Sequence, residues 1–175
     1  KAVRVNREAR TVTVEEVETG RTYDEAYEKL VLCPGAGPLK PPLPGIDHPR
    51  IHVLRNVQDM DGIKALVDSG ARTAVVIGGG YIGVEMAESL FERGLQVDLV
   101  EMMEQIMPPL DREMTRELEA HMRWKGVRLH LGAAAAAFRD DGGRVVVELV
   151  DGRMLNADFV VLAVGVTPDS QLARD

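Results

Sequence analysis

Apolar and polar positions change period several times along this chain, and each change marks an expected element. Val3-Arg-Val and Thr11-Val-Thr-Val alternate apolar with polar residues around Asn6-Arg-Glu-Ala-Arg10, the pattern of a hairpin. Gly20-Arg-Thr-Tyr reads as a further turn and strand edge, and Lys29-Leu-Val-Leu-Cys33 as a short buried strand. From Pro34 to Gly45 the chain reads PGAGPLKPPLPG, too dense in proline and glycine for regular helix or strand. That stretch is expected to be a stiff connector and a domain boundary. Asn56 is placed to cap a helix through Ser69, which Gly70 ends. A β-branched run over 73–77, a helical pattern over 80–93 and a second apolar run over 96–101 then follow in βαβ order.

A charged helix is expected from Asp111 to Lys125, with Leu110, Met114, Leu118 and His121/Met122 as its apolar stripe and Gly126 as its end. Val127–Leu131 reads as a third parallel strand. No crossover helix follows. Ala133–Phe138, Arg144–Val150 and Met154 look instead like short strands around Asp140-Asp-Gly-Gly143 and Asp151-Gly152 turns. Asp158–Ala163 is a strongly apolar final strand, broken by Gly165-Val-Thr-Pro168. The pattern predicts an α/β fold: a three-strand Rossmann-like βαβ unit with an antiparallel β-meander in place of a helix.

Composition narrows the function classes. With 175 residues the chain suits one domain, or one domain with a piece of another. A net charge of −7, with no basic cluster interleaved with aromatics, argues against nucleic acid as a partner. No apolar run approaches a membrane span and no signal-peptide pattern opens the chain, so no membrane partner and a cytoplasmic location are expected. The single cysteine excludes an internal disulfide framework. His48, His52, His121 and His130 have no acid or cysteine at ligand spacing, so no metal site is expected. The chain starts at Lys1, directly in a strand pattern, and reads as a piece of something longer.

The chemistry concentrates in Val75–Glu101. A β-branched run leads into Gly78-x-Gly80-x-x-Gly83, a helix follows, and the next apolar run ends in an acid. Gly78 allows the tight strand-to-helix turn, Gly80 lets backbone approach a pyrophosphate, and Gly83 lets the helix lie close on the sheet. The helix N-terminus offers unpaired N–H groups and a positive dipole end to the phosphates. Glu101 is placed to accept hydrogen bonds from ribose hydroxyls and to repel a 2′-phosphate, which favours NADH over NADPH. Ile77, Gly79, Ile82 and Met102 complete the expected cofactor-binding set. A methyltransferase uses a similar glycine turn and is an alternative at this point. So is a free-standing, non-catalytic NAD(H)-binding module.

Four further stretches carry a resemblance. They are Leu30-Val-Leu-Cys-Pro-Gly-Ala36 with Pro41-Pro-Leu-Pro-Gly45; Gly78-Gly-Gly-Tyr-Ile-Gly-Val-Glu-Met-Ala-Glu88; Val100-Glu-Met with Gln105-Ile-Met-Pro-Pro-Leu-Asp111; and Val161-Leu-Ala-Val-Gly-Val-Thr-Pro-Asp169. In order and spacing they resemble the flavin-dependent pyridine nucleotide–disulfide oxidoreductases, most of all the branch with coenzyme A-disulfide reductase and NADH oxidase. The resemblance implies residues 1–46 as a strip of an incomplete FAD domain, 47–157 as the NAD(H)-binding domain, and 158–175 as the return toward the FAD domain. It implies hydride transfer from NADH to FAD, with coenzyme A disulfide, a related disulfide or persulfide, or oxygen as final acceptor. The full-length protein would be a homodimer. The family's FAD glycine turn and redox cysteine have no counterpart here, so the chain is expected to hold FAD poorly and to be inactive alone.

The resemblance also assigns roles within the site. Tyr81 would be the lid over the nicotinamide pocket, and Glu85, one helical turn on, would support the nicotinamide. Gly165 would bring its backbone near the cofactor's nicotinamide side. Cys33 is expected to be a small buried residue at a strand end, without a redox role. Arg112 and Arg116 read as solvent-facing, and Trp124 with Met102, Met103, Met107, Met114 and Met122 as core and interface filler.

Overall fold

A computed structural model describes residues 1–174. The chain forms two compact units, one of Lys1–Gly37 with the segment from Val166 on, the other Pro38–Gly165.

In the smaller unit β1 (Ala2–Asn6), β2 (Thr11–Glu15) and β3 (Thr22–Ala26) form an antiparallel sheet in that order. Asn6 closes the first turn: its Oδ1 accepts the N–H groups of Glu8 and Ala9 at 3.1 and 3.0 Å, the turn chemistry for which Asn is selected. The expected strand at 29–33 does not form. Val31 is 82% exposed and Cys33 is exposed rather than buried. An apolar run becomes a strand only when a neighbour completes its ladder, and none pairs with this one among the described residues. β4 (Ala36–Pro38) follows.

The larger unit is built on five parallel strands, not three. β5 (Ile51–Val53), β6 (Thr73–Ile77), β7 (Gln96–Glu101), β8 (Arg128–Leu131) and β12 (Phe159–Leu162) lie in the order β5-β12-β6-β7-β8. The final apolar run is therefore an interior strand of the sheet, parallel to both neighbours, which explains why all four of its residues are buried. Three-residue β5 is too short to show a period in sequence. Between the strands run α1 (Val57–Asp68), α2 (Tyr81–Glu92) and α3 (Arg112–Lys125). Asn56 and Asp59 form a reciprocal capping box on α1, and Gly126, at φ 106°, ends α3. Ile63, Met86, Leu90, Leu99 and Met122 join one core cluster.

The meander β9 (Ala135–Asp141), β10 (Arg144–Leu149) and β11 (Met154–Ala157) supplies the second cluster, in which Phe138, Val145 and Val147 meet Val75, Ile77, Val100 and Val160. Leu43 and Ile46 pack there too, and Phe138 donates its N–H to the Pro44 carbonyl at 2.8 Å. Residues 38–46 thus pack within the larger unit, as does the first part of the 158–175 segment. β13 (Val166–Pro168), paired with β4, and α4 (Gln171–Arg174) complete the chain.

The expected stripe of α3 holds at Leu110, Leu118 and Met122, which pack on the first core cluster, but not at Met114. Met114 is exposed, whereas Thr115, Glu119 and Met122 are buried. The buried Glu119 carboxylate is paired there, with Arg112 Nη1 at 2.8 Å and Arg123 Nη1 at 3.5 Å. Trp124 is 77% exposed, with the Lys125 ammonium 5.4 Å from its ring centroid, and so fills no core. Met102 and Met103 are also exposed, while Met107 is buried with Met122. Asp98, buried on β7, receives two hydrogen bonds from Arg128 at 2.7 and 2.6 Å and one from His130 at 2.8 Å. Arg153 Nη1 faces His130 Nδ1 at 3.0 Å, so this nitrogen accepts and the His130 proton sits on Nε2. Burial pushes the Asp98 carboxyl up, but the hydrogen bonds from Arg128 and His130 prevail and hold it at about 2.

Candidate functional site

The glycine turn sits where β6 and β7 end, at the carboxyl edge of the sheet. Gly78 takes φ 107°, and a Cβ there would lie 2.3 Å from the Ala163 carbonyl oxygen. Only glycine meets both conditions. Its N–H binds the Val100 carbonyl at 2.8 Å, so the turn is tied to β7 from its first residue. A Cβ on Gly83 would lie 1.8 Å from the Gly78 carbonyl oxygen, which shows how closely α2 rests on the turn. Gly80, the residue before α2, is different: a Cβ would meet nothing within 4 Å. It borders open space.

That space faces an unsatisfied helix end. No side chain caps α2 and no acid lies in its first turn, in contrast to the capping box of α1. The first N–H groups of a helix have no partner within it, and they carry the positive end of the dipole. An uncapped end beside an open glycine turn suits an anion.

Glu101 closes the other side. It is 8% exposed; its Oε2 accepts the Gly79 N–H at 2.6 Å and its Oε1 the Met103 N–H at 2.7 Å. The carboxylate thus braces the turn, and ribose hydroxyls would use the lone pairs that remain on each oxygen. Ile77 is buried beneath the turn, whereas Tyr81, 58% exposed, Ile82, Glu85 and Met102 face outward. Gly165, at φ 116°, is exposed. The fold sets Gly83 against Gly78 and Glu101 against Gly79, while Tyr81 and Glu85 share one exposed helix side. Arg112 is held by Glu119 and does not reach toward the turn as a free cation.

One participant escapes sequence reasoning. The Met107 N–H donates to the Gly79 carbonyl at 2.7 Å from a left-handed backbone at φ 50°. No local signal marks a methionine followed by proline for that conformation. Among the described residues no group of three or more His, Cys, Asp or Glu side chains is arranged to hold a metal.

The model of the family described as pyridine nucleotide-disulphide oxidoreductase matches residues 1–175. The chain belongs to that family. It is 36% identical over 173 residues to an NADH oxidase of Enterococcus faecalis, covering 98% of this chain and 39% of the relative. It is 30% identical over 170 residues to a coenzyme A disulfide reductase of Staphylococcus haemolyticus, covering 97% and 37%. The crystal structure of reduced Bacillus anthracis CoADR-RHD superposes with a TM-score of 0.93 at 45% identity, over 99% of this chain and 31% of that one. The chain therefore spans well under half the length of the curated relatives it matches. In this member of the pyridine nucleotide-disulphide oxidoreductase family, no helix among the described residues is long and apolar enough to cross a membrane.

Proposed function

We propose that this chain is the NADH-binding portion of a flavin-dependent pyridine nucleotide-disulphide oxidoreductase and positions NADH for hydride transfer to FAD. The observation that carries the reading is the uncapped N-terminus of α2 over the Gly78–Gly83 turn, with Glu101 fixed beside it. The N–H groups at the start of α2 bind the pyrophosphate, and Glu101 takes the ribose hydroxyls. Met102 flanks the adenosine side. Tyr81 covers the nicotinamide side, with Glu85 one turn along and Gly165 offering open backbone. Bound FAD would supply the hydride acceptor. The chain contains one glycine-rich phosphate turn, which the dinucleotide uses, so it is expected to bind FAD weakly when isolated. Similarity to a coenzyme A disulfide reductase and to an NADH oxidase supports coenzyme A disulfide, a related disulfide or persulfide, or oxygen as the final acceptor. Homodimer formation by the full-length protein and a cytoplasmic location belong to the same proposal.

A fluorescence titration tests it. NADH is expected to bind saturably and more tightly than NADPH. Glu101→Gln should weaken NADH by about tenfold, the loss of a hydrogen bond to a charged acceptor, and narrow the preference against NADPH. Tighter binding of NADPH to the unaltered chain would overturn the role of Glu101. Absence of binding to either would overturn the cradle.

A further inference from the structure

The Gly79 residue is held from both sides. Its N–H goes to Glu101 Oε2 at 2.6 Å, and its carbonyl accepts the Met107 N–H at 2.7 Å. These two contacts fix different peptide planes. The Gly79 carbonyl belongs to the same plane as the Gly80 N–H, and across a trans peptide these groups point in opposite directions. Drawing the carbonyl toward Met107 therefore aims the Gly80 N–H away from the 102–110 loop. Gly80 is the residue with open space at its Cβ position and is the uncapped residue before α2.

The loop that supplies Met107 is built to hold it. Ile106 is fully buried and Met107 nearly so. Gln105 Nε2 donates to the Leu110 carbonyl at 2.9 Å, and the Leu110 N–H returns to the Met107 carbonyl at 2.9 Å. Within that closed loop Met107 keeps φ 50°, a conformation that costs a non-glycine residue energy and persists only where its surroundings impose it. Asx side chains and glycine reach this region easily; methionine does not.

Resting on the dinucleotide reading above, we infer that Met107 is a positioning residue: its strained backbone N–H orients the Gly79–Gly80 peptide so that the Gly80 N–H faces the pyrophosphate. The side chain anchors the loop in the core and the backbone performs the orientation. Loss of the N–H alone should thus affect only ligands that carry the pyrophosphate.

The test replaces Met107 by its α-hydroxy analogue, which turns the 106–107 amide into an ester and removes the N–H while keeping the side chain. Dissociation constants are measured for NADH, ADP and adenosine, and the Gly80 amide is followed by 15N–1H NMR. The ester chain is expected to bind NADH and ADP about fivefold more weakly, with adenosine unchanged. Met107→Gly, which retains the N–H and relieves the strain, should lower stability through its lost side chain but keep the ADP-to-adenosine ratio. Equal weakening for adenosine, or no weakening for ADP, overturns the proposal. The unaltered chain gives an independent measurement if the ester chain does not fold. Its Gly80 amide must shift with ADP and NADH and stay in place with adenosine; any other result also overturns the proposal. If Gly80 is unmoved by a bound dinucleotide, the cradle reading fails as well. If Gly80 moves but the ester chain binds ADP normally, only the role of Met107 fails.

Discussion

Replacing Asp98 by Asn isolates one buried charge on the strand that delivers Glu101 to the turn. In the folded chain the Asp98 carboxyl lies at about 2 instead of 3.8. Burial alone would raise it, so the paired hydrogen bonds from Arg128 and the third from His130 outweigh the desolvation. A group whose folded value is depressed adds stability that is fully present above its unfolded value and vanishes as pH falls through the folded one. At about 1.4 kcal/mol per pH unit, the displacement corresponds to roughly 2 kcal/mol at neutral pH, of which about 1 kcal/mol should be gone by pH 3. Arg128 has a side chain 52% exposed and turns to water when its partner is removed, so Asp98→Asn should cost roughly 2 kcal/mol at pH 7. Urea denaturation of both proteins between pH 7 and pH 3 measures this. Other depressed carboxyls, such as Asp158, are present in both proteins and cancel. The stability gap should narrow by about 1 kcal/mol as pH falls through that range. A gap that is constant with pH, or one that widens in acid, would refute the assignment of the charged network as the source of stability.

Gly78→Ala should lower stability by roughly 3 kcal/mol or more and abolish NADH binding, because its Cβ would strike the Ala163 carbonyl and the residue would sit in a conformation that disfavours side chains. A melting temperature within a degree of the parent's would contradict it. Asn56→Ala removes one half of the α1 capping box, and chemical denaturation should show a loss of about 1 kcal/mol, with the NADH dissociation constant unchanged.

Much of this arrangement is legible along the chain. The hairpin of β1 and β2, the order β6-α2-β7, helix α3 and the meander turns follow from period changes and from Asn, Asp and Gly at turn positions. Glycines 78, 80 and 83 and Glu101 mark the proposed cradle in the sequence, because a dinucleotide would demand those residue types at that spacing. The exposure of Met114 and the burial of Thr115 and Glu119 on α3 were not legible. Glu119 reads as a solvent residue until Arg112, a full two turns away, is seen to neutralise it.

Local composition thus determined most of the strands, helices and turns, since periodicity and backbone freedom act over a few residues. Tertiary structure alone decided the rest. The 159–162 run becomes an interior strand between β5 and β6, partners that lie more than eighty residues earlier in the chain. The equally apolar 29–33 run finds no ladder and stays irregular. Met107 is held left-handed by a closed loop and a carbonyl from the glycine turn, neither of which is written in the residue itself. Hydrogen-bond partners and burial are properties of long-range neighbours, and for that reason they emerge only when the chain is folded.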